Sequence, residues 1–251
     1  MAPYTPLSAA AAEIRLLDLV PGEFNTPISC ILRIVSLDDE PKFEALSYVW
    51  GEEKSKNPIT VDGRPTEITA NLEAALRALR HTDTLRTLWI DAICINQEDV
   101  GEKNIQLPLM GKIYTGASRV LAWMGPSNPD IELTISWFQT YVWKEHTEAS
   151  QFWLNLDEAA KSDLKATLAK ECAIYRASKG YADIWTSPYW ARMWTCQEYS
   201  LPAEEPICLV GRDLSFQAVH YAEIMENYRL RTMRPLWPST KGGSNGLQEL
   251  T

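Results

Sequence analysis

Along the first forty residues the apolar positions fall in short runs: Ile14 to Leu19, and then Cys30 to Leu37, where Cys30, Leu32 and Ile34 lie on one side of a period-two pattern. That alternation predicts a strand or hairpin. Phe43 to Trp50 is an apolar run that ends at Gly51, the pattern of a central strand opening into a loop. A short strand at Ile59 to Val61 precedes the turn signal Asp62-Gly63. Asn71 is placed to cap a helix whose Leu72, Ala75, Leu76 and Leu79 share one face. Thr87 to Ile95 reads as a strand buried on both faces. Met110, Ile113, Tyr114 and Ala117 keep helical spacing after Pro108, which either begins that helix or kinks it. Ser118 to Met124, closed by Gly125-Pro126, is a further buried strand.

Strand, helix, strand, helix, strand is the order of a parallel sheet covered by helices, so a doubly wound α/β fold is expected. Residues 130–183 break the rhythm with a helical stretch from Ile131 to Trp143 and another in which Ala160, Leu164, Leu168 and Cys172 recur every four residues. They predict a helical insertion within a domain of residues 1–234. The core pattern resumes at Trp185 and reaches a strand at Pro206 to Val210, and a helix around Phe216 to Tyr228 closes the fold. Residues 235–251, with Pro238 and Gly242-Gly243-Ser244, read as a linker or tail, which fits a domain belonging to a larger parent protein.

Composition narrows the function classes. A net charge of -9 and a pI near 5.0 argue against a surface that tracks nucleic-acid phosphates. The five cysteines are scattered, with no CxxC pair and no histidine at zinc-ligand spacing, so neither a disulfide framework nor a metal site is expected. The first residues lack the basic and apolar regions of a signal peptide, and no stretch approaches the ~20 apolar residues that span a bilayer. A cytoplasmic protein with no membrane association is the expectation. Ten tryptophans serve either as core or as an aromatic wall for a flat ligand.

Three blocks stand in order: Ala45-Leu46-Ser47-Tyr48-Val49-Trp50-Gly51, Leu88-Trp89-Ile90-Asp91-Ala92-Ile93-Cys94-Ile95-Asn96-Gln97, and Arg192-Met193-Trp194-Thr195-Cys196-Gln197-Glu198. Together they resemble the heterokaryon-incompatibility (HET) domain of filamentous fungi, over about residues 13 to 215. Lys103, where that family more often has Arg, and Pro108, inside a helix usually unbroken, are departures. The resemblance implies a role in the programmed cell death that follows fusion of unlike fungal cells, with self-association and an incompatibility partner. HET domains have in turn been likened to TIR domains, whose flavodoxin-like fold cleaves NAD in several lineages. Here Leu46-Ser47-Tyr48 resembles the end of the first TIR strand, and Trp89-Ile90-Asp91 the second strand with its acidic end. Trp194 and Glu198 resemble the Trp and Glu of the TIR site helix. This implies a TIR-like central parallel sheet flanked by helices.

Cleavage between nicotinamide and ribose passes through an oxocarbenium-like state that a carboxylate stabilises, and Glu198 is the candidate. Its bland alternative is a surface carboxylate near a helix start. Tyr48, Trp50 and Trp194 are candidates for stacking on the cationic ring, Gly51 for the rim and Arg192 for a phosphate. Asp91 interrupts an apolar run and must serve either a ligand or a structural hydrogen-bond network. Asn96 and Gln97 read as caps, and Glu102 as a first-turn helix residue. Cys94 and Cys196 lie in motifs without a histidine and read as inert thiols. With neither GxGxxG nor a P-loop, NAD enters as a substrate and no cofactor is expected. A non-catalytic, self-associating adaptor is the competing reading.

Overall fold

The computed structural model describes residues 4–136, 173–192, 198 and 200–217. The chain divides into two compact units, Met1–Ala218 and Val219–Thr251, and every described residue belongs to the first.

A nine-stranded sheet runs through that unit in the order β5-β4-β2-β1-β6-β3-β7-β8-β9. The strands are β1 (Glu13–Leu19), β2 (Ser29–Ser36), β3 (Glu44–Tyr48), β4 (Ile59–Val61), β5 (Arg64–Thr66), β6 (Arg86–Trp89), β7 (Arg119–Gly125), β8 (Ile207–Val210) and β9 (Leu214–Gln217). β6, β3, β7 and β8 are mutually parallel. The expected parallel sheet is therefore present only at the centre. β1 joins β6 antiparallel and carries the hairpin partner β2, while β9 joins β8 antiparallel, so the sheet as a whole is mixed. At the far margin β5, with Pro65 at its centre, pairs antiparallel with β4. Phe216 lies in β9 and not in a helix; the rest of the closing helix expected there falls outside the described residues.

Helices α1 (Ala70–Leu79) and α4 (Met110–Gly116) cover opposite faces of the sheet. Register shows why. Trp89 is paired with Ala45 and Trp123 with Tyr48, and residues three apart on β3 point to opposite sides. Trp89 meets Tyr114 of α4 edge-on at 5.6 Å, whereas the Trp123 indole N–H donates to Asn71 of α1 at 2.8 Å. Both indoles are core, as are the predicted helix face Leu72, Ala75, Leu76 and Leu79 and the β7 run Val120 to Trp123.

Several local expectations change. Thr69, and not Asn71, caps α1, accepting from the Leu72 amide; the Asn71 side chain is drawn off to Trp123 and to the Val49 carbonyl. The run Thr87 to Ile95 is a strand only to Trp89, and Asp91–Cys94 forms a helical turn, α2. Pro108 sits in a 3-10 turn, Leu107–Leu109, between α3 (Val100–Gln106) and α4. There its missing amide costs little. On β2 the pattern holds at Cys30 but Ile34 faces solvent.

Of the expected insertion, a helix over 129–136 and α5 (Ala173–Trp185) are described, and they meet where Gly180 lies against the Asp130 carbonyl. The helix expected over 160–172 and the tail 235–251 lie outside the described residues. Among the described residues no helix is long and apolar enough to cross a membrane, and no group of acidic, histidine or cysteine side chains is arranged to hold a metal.

Candidate functional site

The carboxyl ends of parallel strands are where open α/β sheets receive ligands. At the ends of β3 and β6 the chain leaves a cleft of about 520 Å³, lined among others by Trp50, Gly51, Asp91, Gln97, Arg192 and Glu198. Six residues singled out from three separate motifs thus come to one place. Tyr48 does not line it: its ring is 2 % exposed and belongs to the core. Burial pushes the Tyr48 phenol well above its ordinary range, so it is neutral. Trp194 and Cys196 lie outside the described residues.

Each lining residue has a local cause. Gly51 follows β3 with φ of +74°, a conformation that costs a side-chain-bearing residue, and so turns the chain across the cleft mouth. Asn71 Nδ2 donates to the Val49 carbonyl at 2.6 Å and fixes that turn. The Trp50 ring, 41 % exposed, stands at the rim, where its Nε1–H donates to both Asp91 oxygens at 3.1 and 3.0 Å. Asp91 opens α2, and its Oδ1 also accepts the Ala92 amide at 2.7 Å. The Gln97 amide nitrogen donates to the Asp91 carbonyl at 2.9 Å, closing the loop behind it.

Withdrawal from water pushes the Asp91 carboxyl up from 3.8 to about 6. The Trp50 and Ala92 donors oppose the rise, the charge on Glu198 adds to it, and Arg192 offsets it. Asp91 therefore serves a hydrogen-bond network and at the same time faces the cleft.

Glu198 is not a surface carboxylate: it is 1 % exposed. Arg192 grips it with Nη1 to Oε2 at 3.1 Å and Nη2 to Oε1 at 3.2 Å. Ser47 Oγ donates to Oε2 at 2.5 Å and lies 2.8 Å from the Tyr189 hydroxyl. An ionised carboxylate only accepts, so the single Ser47 proton goes to Glu198 and Tyr189 must donate to Ser47. The result is a chain from Tyr189 through Ser47 to Glu198, reinforced by a two-point guanidinium. Arg192, expected at a phosphate, is engaged by Glu198.

A second ionic network lies beneath the cleft. Arg15, in the buried middle of β1, donates to both oxygens of Glu102 at 2.6 and 2.9 Å and to the Cys94 carbonyl at 3.0 Å. Glu102 also accepts the Asn96 amide at 2.7 Å, and Tyr4 donates to the Ile93 carbonyl at 3.0 Å. Burial raises the Glu102 carboxyl, but the bonds from Arg15 and Asn96 outweigh it and hold the group below the usual range. Glu102 is thus more than a first-turn helix residue: with Arg15 it fastens the α2 loop that carries Asp91. Asn96 does cap locally, accepting the Glu98 amide. Cys94 is buried, and burial pushes its thiol up to about 12, which leaves it inert at neutral pH.

Sequence reasoning gave no role to Tyr189 or Arg15, quoted Ser47 only as part of a motif, and named Lys103 only as a departure from the family pattern. Ser47 and Arg15 carried a signal, since each is a polar residue inside a buried strand and must find a partner there.

The family model for heterokaryon incompatibility protein (HET) matches residues 43–198, an interval that opens at β3 and ends on Glu198. The chain belongs to the HET family. It is 34% identical to heterokaryon incompatibility protein 6, OR allele, of Neurospora crassa, over 79% of this chain and 33% of that protein. This HET chain thus spans about a third of the length of that curated relative. No solved structure matches it.

Proposed function

We propose that this HET domain is the effector part of an incompatibility protein and that, on self-association, its cleft hydrolyses NAD to nicotinamide and ADP-ribose, in the cytoplasm. The observation that carries the reading is the meeting of Glu198 and Asp91 in one cleft at the carboxyl ends of the parallel strands, with the Trp50 indole at the rim. Numbered by their own order, the four parallel strands run second, first, third, fourth across the sheet, the order of a flavodoxin-like fold and so of TIR domains. In the reaction the bond between the nicotinamide nitrogen and the ribose breaks, and its electron pair leaves on the nitrogen. Water adds to the anomeric carbon and loses a proton. Neutral nicotinamide departs without a general acid, so one carboxylate against the developing positive ribose is enough. Glu198 is that carboxylate. Arg192 and Ser47 hold it in place, Asp91 faces the ribose hydroxyls and Trp50 stacks on the ring.

One observation favours the adaptor reading: Glu198 already accepts three hydrogen bonds in a buried position, as a structural ion pair does. The two are separated by nicotinamide release from concentrated protein. The Glu198→Gln variant keeps the shape and the bond from Ser47 while losing the charge. Release that falls by roughly 100-fold in a variant with an unchanged melting curve is the expected result. Equal release from both proteins, or none from either when assembled, sinks the enzyme. If the folded variant also still kills fungal cells on expression, the adaptor stands.

A further inference from the structure

Lys103, named above only as a departure from the family pattern, lines the cleft. Its direction is forced by its neighbours. On α3, Glu102 and Gln106 are four apart and share a face, which is fastened inward by Arg15 and by the bond from Gln106 Nε2 to the Glu13 carbonyl at 2.9 Å. Lys103 and Leu107, the next pair four apart, are turned to the adjacent face, and both line the cleft. The two cations of the cleft differ in their commitments. Arg192 is engaged by Glu198, whereas the Lys103 ammonium has neither a hydrogen bond nor an ion pair among the described residues. Of the other described lysines, Lys54 and Lys179 are matched to Glu67 and Asp130, and Lys42, Lys56 and Lys112 are unmatched but exposed to solvent, so Lys103 differs in being partly buried. Although Glu52, Asp91 and Glu198 line the same cleft, none of them is its ion-pair partner, so an anionic ligand would supply the missing counter-charge.

We propose that the ligand of this cleft is phosphorylated and that Lys103 is the side chain that holds its phosphate. This deepens the NAD reading, on which it rests for the sugar end of the ligand, by assigning the pyrophosphate to α3. It also divides the cationic work of the cleft: Arg192 positions a carboxylate of the protein, and Lys103 takes the charge of the ligand, as a point charge and not a fork.

Calorimetric titration of inorganic pyrophosphate into the full chain tests it. Wild type binds, Lys103→Ala weakens binding by at least about tenfold, and Lys103→Arg stays within about threefold of wild type. Nicotinamide riboside, which has no phosphate, binds wild type and Lys103→Ala alike. Equal pyrophosphate affinity in wild type and a normally melting Lys103→Ala, or no binding by wild type, overturns the assignment. Because pyrophosphate has no glycosidic bond, the outcomes part cleanly. Lys103-dependent binding without nicotinamide release removes the glycohydrolase and keeps the anchor; release that ignores Lys103 does the reverse.

Discussion

Asp91 places a cost on the folded protein that pH exposes. Its carboxyl is raised from 3.8 to about 6, so between those values the folded chain holds a proton that the unfolded chain has released. Stability from this group is complete below pH 3.8 and is lost as pH rises through about 6. The shift corresponds to at most about 3 kcal/mol less stability at pH 7 than at pH 4 from this residue alone. Asp91→Asn removes the charge but keeps an oxygen to accept the Trp50 indole and Ala92 amide protons. Urea unfolding of both proteins at intervals from pH 4 to pH 8, followed by far-UV circular dichroism, yields a difference curve in which other titrating carboxylates, such as Glu102 and Glu73, cancel. The variant is expected to gain on wild type steadily up to pH 6 and by a constant amount above it. A difference that is flat across the range, or that grows as pH falls, refutes the assignment of a strained carboxylate at this position.

Arg192→Met leaves the Glu198 carboxyl 1 % exposed and held by Ser47 alone, and is expected to cost about 3–5 kcal/mol in urea unfolding; adding Glu198→Leu should recover most of it. At Gly180 a β-carbon would stand 2.2 Å from the Asp130 carbonyl oxygen, backbone that cannot step aside. Gly180→Ala is therefore expected to lose about 1–3 kcal/mol, read as a lower melting temperature, whereas Gly116→Ala, with open space around it, should not cost packing.

The elements with one wet and one dry face were legible, and those dry all round were not. Leu72, Ala75, Leu76 and Leu79 announced α1 because its other face is polar. Ile90 to Ile95 is apolar throughout, and a run without periodicity fits a buried helical turn as well as a strand. Sequence placed the parallel centre correctly but not its neighbours, since β1 reaches β6 across some seventy residues of chain and no local pattern encodes that pairing. Thr69 and Asn71 are both good caps, and the choice fell to a distant demand, the Trp123 indole that needed Asn71. At the cleft, motif residues declared themselves, but Lys103 did not. Its meaning comes only from Glu102 pointing the other way, into an arginine eighty-seven residues earlier.

The margin of the sheet at β5 bears on how copies of this domain can meet. The Thr60 amide donates to Ile28, so at the Thr60–Pro65 pair the backbone polar groups face away from one another, while Arg64 and Thr66 turn theirs inward to β4. The outward-facing residue of β5 is thus Pro65, which has no amide hydrogen to offer. A strand arriving from another molecule would find a carbonyl there and no donor, which closes this side to ribbon-like stacking. Strand-to-strand pairing between copies of the domain must therefore use another margin of the sheet.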